Sequence, residues 1–298
     1  MIPVFLTRIR TSDGTVLSGI TVLPKRKSKV ALIHIHGIGS KFYNGQPLIK
    51  ELAADCRNAA IGYFKFNTRG HDAAAWEEKG WTGAGFEEFK KCVFDIRAMI
   101  RFARRLGYTK IVLAGHSTGA NKALYYIYKT RDRSVKKLVL LGPVSDIAGA
   151  RWNPPPGLKD LDTGLAIAKR LLKKNKNALM PQRYGVYTAQ RFWSLYHPGE
   201  AEDVFPYHNP KARWKELRSV HIPLVVIFGS RDQYLDRPMQ DIMAIFRENA
   251  ASTSAFSGII IKDADHSFHK KEKELSRAII QEIKNGKPDK SRKESHLH

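Results

Sequence analysis

The chain is poor in cysteine, in acidic residues and in long apolar runs. Two cysteines in 298 residues, Cys56 and Cys92, exclude a disulfide framework and a cysteine-built zinc site. Both fall in helical patterns without a metal-ligand partner at a sensible spacing, and they read as free thiols of a reducing compartment. No stretch approaches 18 apolar residues, so no transmembrane helix is expected. The opening MIPVFLTRIRTSDG lacks the basic, apolar and small-residue order of a secretion signal. A cytoplasmic protein without integral membrane association is therefore expected.

Acidic residues number 28 against 51 lysines and arginines, a formal charge of +23. With 43% hydrophobic and 10% aromatic residues, this is a basic folded chain and not a disordered basic tail. Such an excess suits nucleic acid, an anionic surface, acidic small molecules or a generally basic proteome. Residues 1–145 hold 25 basic and 10 acidic residues, so most of the excess lies outside the segment expected to cover a substrate. No nucleic-acid motif is recognised, and no specific nucleic-acid partner is expected.

What is present is a recurring short, β-branched, apolar run: VALIHIHG (30–37), IGYFKFN (61–67), KIVLAG (110–115), KKLVLLG (136–142), IPLVVIFG (222–229) and GIIIK (258–262). Runs of this kind read as buried strands of a parallel sheet. A hairpin over 2–10 and 15–23, turning at Ser12-Asp13-Gly14, precedes them. Helical patterns at 46–60, 86–106, 119–131 and 270–284 separate most of the strands, which predicts an α/β fold with a doubly wound, mostly parallel sheet. The alternation stops at 146–214, where a basic helix (165–177) and a set of aromatics predict an inserted helical cap. The core is then 1–145 and 215–285, and 286–298 is a polar tail.

The residues that carry chemistry sit at strand ends. Gly115-His116-Ser117-Thr118-Gly119 follows a buried strand and opens a helix, the context in which G-x-S-x-G becomes a sharp turn raising a serine hydroxyl above the sheet. Serine needs a base, and the base needs an orienting acid, in the chain order Ser, acid, His. Asp232 follows IPLVVIFG and His266 follows GIIIK, which predicts the catalytic set Ser117, Asp232 and His266. Asp236, Asp263 and Asp265 rank below Asp232, and His269 reads as a solvated or capping residue. Backbone N–H groups of Thr118 and Ile38, the latter in the loop His36-Gly37-Ile38-Gly39-Ser40, are the expected oxyanion donors. His36 is expected to brace that loop or to meet substrate, and His34 to be structural. No third ligand supports a metal at these histidines, so none is expected. Arg69 and His71 either buttress the loop or meet substrate. Trp76 and Trp81 are expected beneath the cap or against substrate. Trp193, among the cap aromatics, is a further candidate substrate contact, and Arg151, Arg183 and Arg191 are cations that could meet an acidic one.

HGIGS, FNTRGHD, GHSTG, GSRD and DADHSF, in this order, resemble the α/β-hydrolase superfamily. More narrowly, GHSTGANKALYY followed by LLGPVSDIAGA is similar to a branch that includes fungal siderophore esterases. The resemblance implies hydrolysis of a small-molecule carboxylic ester by Ser117, Asp232 and His266 with no cofactor. A peptidase, an amidase or an acyltransferase on the same triad, or a non-catalytic nucleic-acid-binding protein on this fold, are the alternatives. One departure is Asp72, where many relatives of the superfamily carry glycine. Oligomeric state is not legible.

Overall fold

A computed structural model describes residues 2–78, 80–154 and 158–285. The expected tail and two of the three prolines at 154–156 lie outside these residues. The first two strands, β1 (Phe5–Arg10) and β2 (Val16–Val22), form the expected antiparallel hairpin. Then strands and helices alternate: β3 (Val30–Ile35), α1 (Gln46–Asn58), β4 (Gly62–Phe66), α2 (Cys92–Arg105), β7 (Lys110–His116), α3 (Thr118–Thr130) and β8 (Val135–Leu141). Between β4 and α2 lies a small hairpin, β5 (Ala75–Glu77) and β6 (Gly80–Thr82). After the helices α4 (Asp146–Trp152), α5 (Leu161–Leu172), α6 (Ala189–Tyr196) and α7 (Lys215–Arg218), alternation resumes with β9 (Leu224–Gly229), α8 (Met239–Asn249), β10 (Phe256–Ile261) and α9 (Glu272–Lys284).

The eight-stranded sheet has the order β1-β2-β4-β3-β7-β8-β9-β10 and is parallel from β4 onward. Residues 31–35 of β3 are buried because the strand lies between β4 and β7, with helices over both faces. One face packs Ile96 and Met99 of α2, Tyr126 of α3 and Ile242 of α8 into a single apolar core. The other receives Leu52 of α1 and Leu275 and Ile279 of α9. Each such side chain, fully withdrawn from water, contributes roughly 1.5–3 kcal/mol. A third cluster, built on Leu158, Leu161, Ala168, Phe192 and Leu195, belongs to the helices between β8 and β9, and Ile38 of the core packs against it.

Three elements differ from expectation for local reasons. The helix expected at 86–106 begins at Cys92 after a 3-10 turn at Phe89–Lys91, because Gly83 and Gly85 bond back to the carbonyls of Arg69 and Ala73 and carry Glu87 inward. The basic helix begins at Leu161, where Asp160 caps the Thr163 amide, and it ends at Leu172. The terminal helix starts at Glu272 because Phe268 and Lys270 have φ of 58° and 62°.

Candidate active site

The carboxyl ends of β3, β7, β8, β9 and β10 meet along one edge, where ligands of open α/β sheets bind. Ser117 links β7 to α3 with φ 57° and ψ −130°, a strained conformation that a non-glycine residue holds only where its surroundings enforce it. The enforcing contacts are visible at the glycines around it. A Cβ on Gly119 would stand 2.7 Å from the His36 carbonyl, and one on Gly115 would run into the Gly119 backbone. Gly37 faces the serine directly: a Cβ there would lie 2.9 Å from Ser117 Cβ and 3.4 Å from its Oγ. The half-buried hydroxyl therefore stands beside the Gly37–Ile38 peptide.

The loop after β9 supplies Asp232 and the loop after β10 supplies His266. Their side chains are joined by a 2.8 Å hydrogen bond between His266 Nδ1 and Asp232 Oδ2. Both are buried. Tyr234 packs edge-on against the imidazole at 4.7 Å between centroids. His116 Nε2 donates to the His266 carbonyl at 2.8 Å, tying the residue before the serine to the loop of the histidine. Burial, and then the nearby His266, push His116 down to about 3, so it is neutral and a donor. Among the described residues no hydrogen bond joins Ser117 Oγ to His266.

Thr118 begins α3, so its amide is one of the unpaired donors of that helix N-terminus. In the β3 loop the amides of Gly39 and Ser40 bond to the carbonyls of Gly70 and Gly37, and no acceptor for Ile38 N–H is found among the described residues. His36 spans the loop. Its Nε2 accepts from Thr68 N–H at 2.9 Å and its Nδ1 donates to the Gly37 carbonyl at 2.8 Å. Burial, then the charge of Lys122, hold its pKa well below the ordinary 6.5.

Of the remaining candidates, His71 flanks the β3 loop, its backbone bridged to Gly39. Arg69 is committed to Asp95 at 2.7 Å and Asp13 at 2.8 Å, and it shares a 620 Å³ cleft with Trp81, between the β1–β2 turn, the β5–β6 hairpin and α2. Trp76 and Trp81 do not pack under the insertion: they stand 70% and 60% exposed on the small hairpin, with Trp81 stacked on Phe86. His71 lies between Asp72 at 2.7 Å and Glu77 at 3.2 Å. Trp193 stacks on His197 and donates to Glu200. Arg191 is not available to an acidic ligand, because it is buried against Glu202 and Glu87. Arg151 pairs with Asp162 at 2.9 Å. The carboxyl competitors are engaged as well, Asp236 with Arg237, Asp263 with Arg231, and Asp265 with His269. His34 is buried and bonded to Tyr63.

Two features escaped the reading of the sequence, and a third, the departure at Asp72, finds its backbone reason. Gly142, at the end of β8, has φ +49°, and a Cβ there would meet His266 Nδ1 at 3.1 Å and Asp232 Oδ2 at 3.3 Å. Its signal was the glycine closing KKLVLLG at the same edge. Asp72 has φ 58°, a left-handed conformation that aspartate tolerates better than most residues. Lys122 and Asn121 are buried in the second turn of α3, and two polar residues inside GANKALYY were the visible sign.

The strand order, the strained serine turn and the acid–histidine pair along one edge define an α/β-hydrolase fold. Solved structures share it. The chain is similar to the esterase Pf2001 of Pyrococcus furiosus, with 17% identity, TM-score 0.61, and 95% of this chain and 91% of that one covered. It is also similar to the siderophore hydrolase EstB of Aspergillus fumigatus, with 16% identity, TM-score 0.70, and 95% and 96% covered. Est1E of Butyrivibrio proteoclasticus, solved with ferulic acid bound, aligns at 15% identity and TM-score 0.59 over 93% and 98% of the two chains. No curated protein matches the chain. By sequence it belongs to the family described as "Protein of unknown function (DUF1749)", which matches residues 17–285.

Proposed function

We propose that the chain is a serine hydrolase that cleaves small carboxylic esters through Ser117, His266 and Asp232. The observation that carries this reading is the strained Ser117 turn beside Gly37, on the edge where Asp232 holds His266 Nδ1 at 2.8 Å. With Nδ1 donating to Asp232, Nε2 is left as the base that takes the serine proton. Oγ then attacks the ester carbonyl, and Ile38 and Thr118 N–H groups receive the oxyanion. His266 passes the proton to the leaving alkoxide, leaving an acyl-enzyme on Ser117. It next takes a proton from water, whose attack releases the acid and restores the serine. Of the three similar structures, one is described as an esterase and one as a siderophore hydrolase, which supports a hydrolase with an ester as the first substrate to test. The insertion, 146–214, is read as the cap over this edge, a role supported by the packing of Ile38 against its core. The buried free thiols of Cys56 and Cys92 suit a cytoplasmic location.

The test is labelling with a fluorophosphonate together with hydrolysis of an aryl acetate. Wild-type protein labels and turns over, and Ser117→Ala does neither while keeping its melting temperature. Full hydrolysis by Ser117→Ala would overturn the reading.

A further inference from the structure

The second turn of α3 carries a lysine where an apolar residue would ordinarily pack. Lys122 is fully buried, with its Nζ 2.6 Å from Glu87 Oε1 and donating to Thr68 Oγ1 at 3.2 Å. Glu87 accepts no well-aligned hydrogen bond among the described residues, so charge attraction holds it. Burial opposes its ionisation, yet Lys122 and Arg191 keep its pKa below the ordinary value.

Two paths lead outward from this pair. One runs to the serine. The Thr68 N–H donates to His36 Nε2 at 2.9 Å, so the ring proton sits on Nδ1, which donates to the Gly37 carbonyl at 2.8 Å. That carbonyl and the Ile38 N–H belong to one planar trans peptide and point in opposite directions. Fixing the oxygen on His36 therefore aims the N–H the other way. The second path runs to the insertion. Glu87 Oε2 lies 3.7 Å from Arg191 NH2 on α6, and Arg191 is paired through both terminal nitrogens with Glu202 and through Nε with the Ala84 carbonyl at 2.9 Å. Asn121, next to Lys122, donates to the Glu202 carbonyl at 3.1 Å. The Ile38 side chain itself packs against the insertion's apolar core.

We propose that Lys122 is a positioning residue. It holds the Gly37–Ile38 peptide with its N–H toward the developing oxyanion, and through Glu87 and Arg191 it makes that orientation depend on how the insertion is seated. The proposal rests on the esterase reading above. Without the ammonium, Thr68 loses the donor that fixes its hydroxyl, the strand end bearing the His36 partner loosens, and the peptide is free to turn. A turned peptide presents a carbonyl oxygen, which repels the charge forming on the substrate. Substrate binding does not need the N–H in the same way, so the loss falls on kcat.

The readout that separates this role from general structural damage is the rate ratio between an oxygen ester and the thionoester of the same alcohol. Sulfur accepts hydrogen bonds weakly, so a sound oxyanion site favours the oxygen ester and a damaged one loses that preference. Thr68→Val removes the hydroxyl, with its contacts to Lys122 at 3.2 Å and to His36 Nε2 at 3.4 Å, and keeps the backbone donor. It should lower kcat about tenfold, leave KM within twofold and narrow the ratio. Thr68→Ser should restore both. Lys122→Met should lower kcat about a hundredfold, with Thr68→Val as the decisive variant should it fail to fold. At the insertion end, Glu202→Gln frees Arg191 to draw Glu87 from Lys122, and the ratio should narrow there too. Wild-type kcat and ratio in Thr68→Val, or a lower kcat with an unchanged ratio, would overturn the positioning role. An unchanged ratio in Glu202→Gln would overturn the link to the insertion. Wild-type protein that neither labels with fluorophosphonate nor hydrolyses either ester marks failure of the esterase reading itself, and the proposal goes with it.

Discussion

The loops closing β7, β9 and β10 hold a serine, a carboxylate and an imidazole, whereas Glu87, Lys122, Arg191 and Glu202 pack four formal charges where α3 and the segment before α2 meet the segment between β8 and β9, at 0–1% side-chain exposure. The charges in the second region balance, two against two. Asp146 is the fifth group. Burial, and then the charge of Glu202, push its carboxyl up to about 8, so it enters the cluster as a neutral acid. The edge site is satisfied differently: the acid and the histidine are joined, but the serine hydroxyl keeps no partner among the described residues. A charge-balanced cluster, in which the Glu87 oxygens accept no aligned hydrogen bond, holds elements in place by attraction. A half-buried hydroxyl at the sheet edge stays open to whatever enters there.

Breaking each region should therefore give different losses. At the edge, Asp232→Asn should lower kcat/KM by about 10⁴, because the amide favours the wrong imidazole tautomer, while the melting temperature hardly moves. In the cluster, Arg191→Met leaves Glu202 and Glu87 short of a cation, and breaking a buried pair costs about 3–5 kcal/mol, read as a lower midpoint in chemical denaturation. Gly142→Ala, at the edge alone, reads activity and stability together. Its left-handed φ makes alanine strained, and its Cβ presses on the imidazole, so a loss of about 10²-fold in kcat with a stability change of about 1 kcal/mol is expected.

The smallest effect sharpens the comparison through pH. The Asp146 pKa is raised from 3.8 to about 8 in the folded chain, so between these values the native state keeps a proton that the unfolded chain has released. Its contribution to stability is complete below pH 4 and is lost as pH rises toward 8. Asp146→Asn has no such proton to lose. Its stability relative to wild type should rise steadily across that window, on the order of 1 kcal/mol or more at its end, and level off above it. Parallel denaturation curves at every pH would show that Asp146 is not held neutral.

The two regions also differ in how far the sequence reveals them. Strands such as VALIHI and LVVIFG are legible because burial on both faces demands β-branched and apolar residues at every position. Ser117, Asp232 and His266 are legible as candidates because each follows such a strand within a few residues. The charge cluster is hidden because pairing across long separations leaves no local pattern: Glu87 and Arg191 lie 104 residues apart, and each alone reads as a surface charge. The two tryptophans misled for a related reason. Aromatics imply burial, but β5 and β6 are three residues each, too short to form a face that would cover Trp76 and Trp81. Helix α8 passed without notice, since PMQDIMAIFREN shows its apolar stripe only at Met239, Ile242, Met243 and Phe246.

The hydrogen bond from His116 to the His266 carbonyl joins residues 150 positions apart, and it carries a consequence for how the molecule is made. A ribosome delivers the chain from its N-terminus at about 5–20 residues per second. The serine turn and its β3 loop leave the tunnel while β9 and β10 are still unsynthesised. For several seconds the nascent chain holds Ser117 without His266, and on the proposed mechanism it is chemically silent. The proposed reactive set is complete only when the last strand docks against β9 and brings His266 to Asp232.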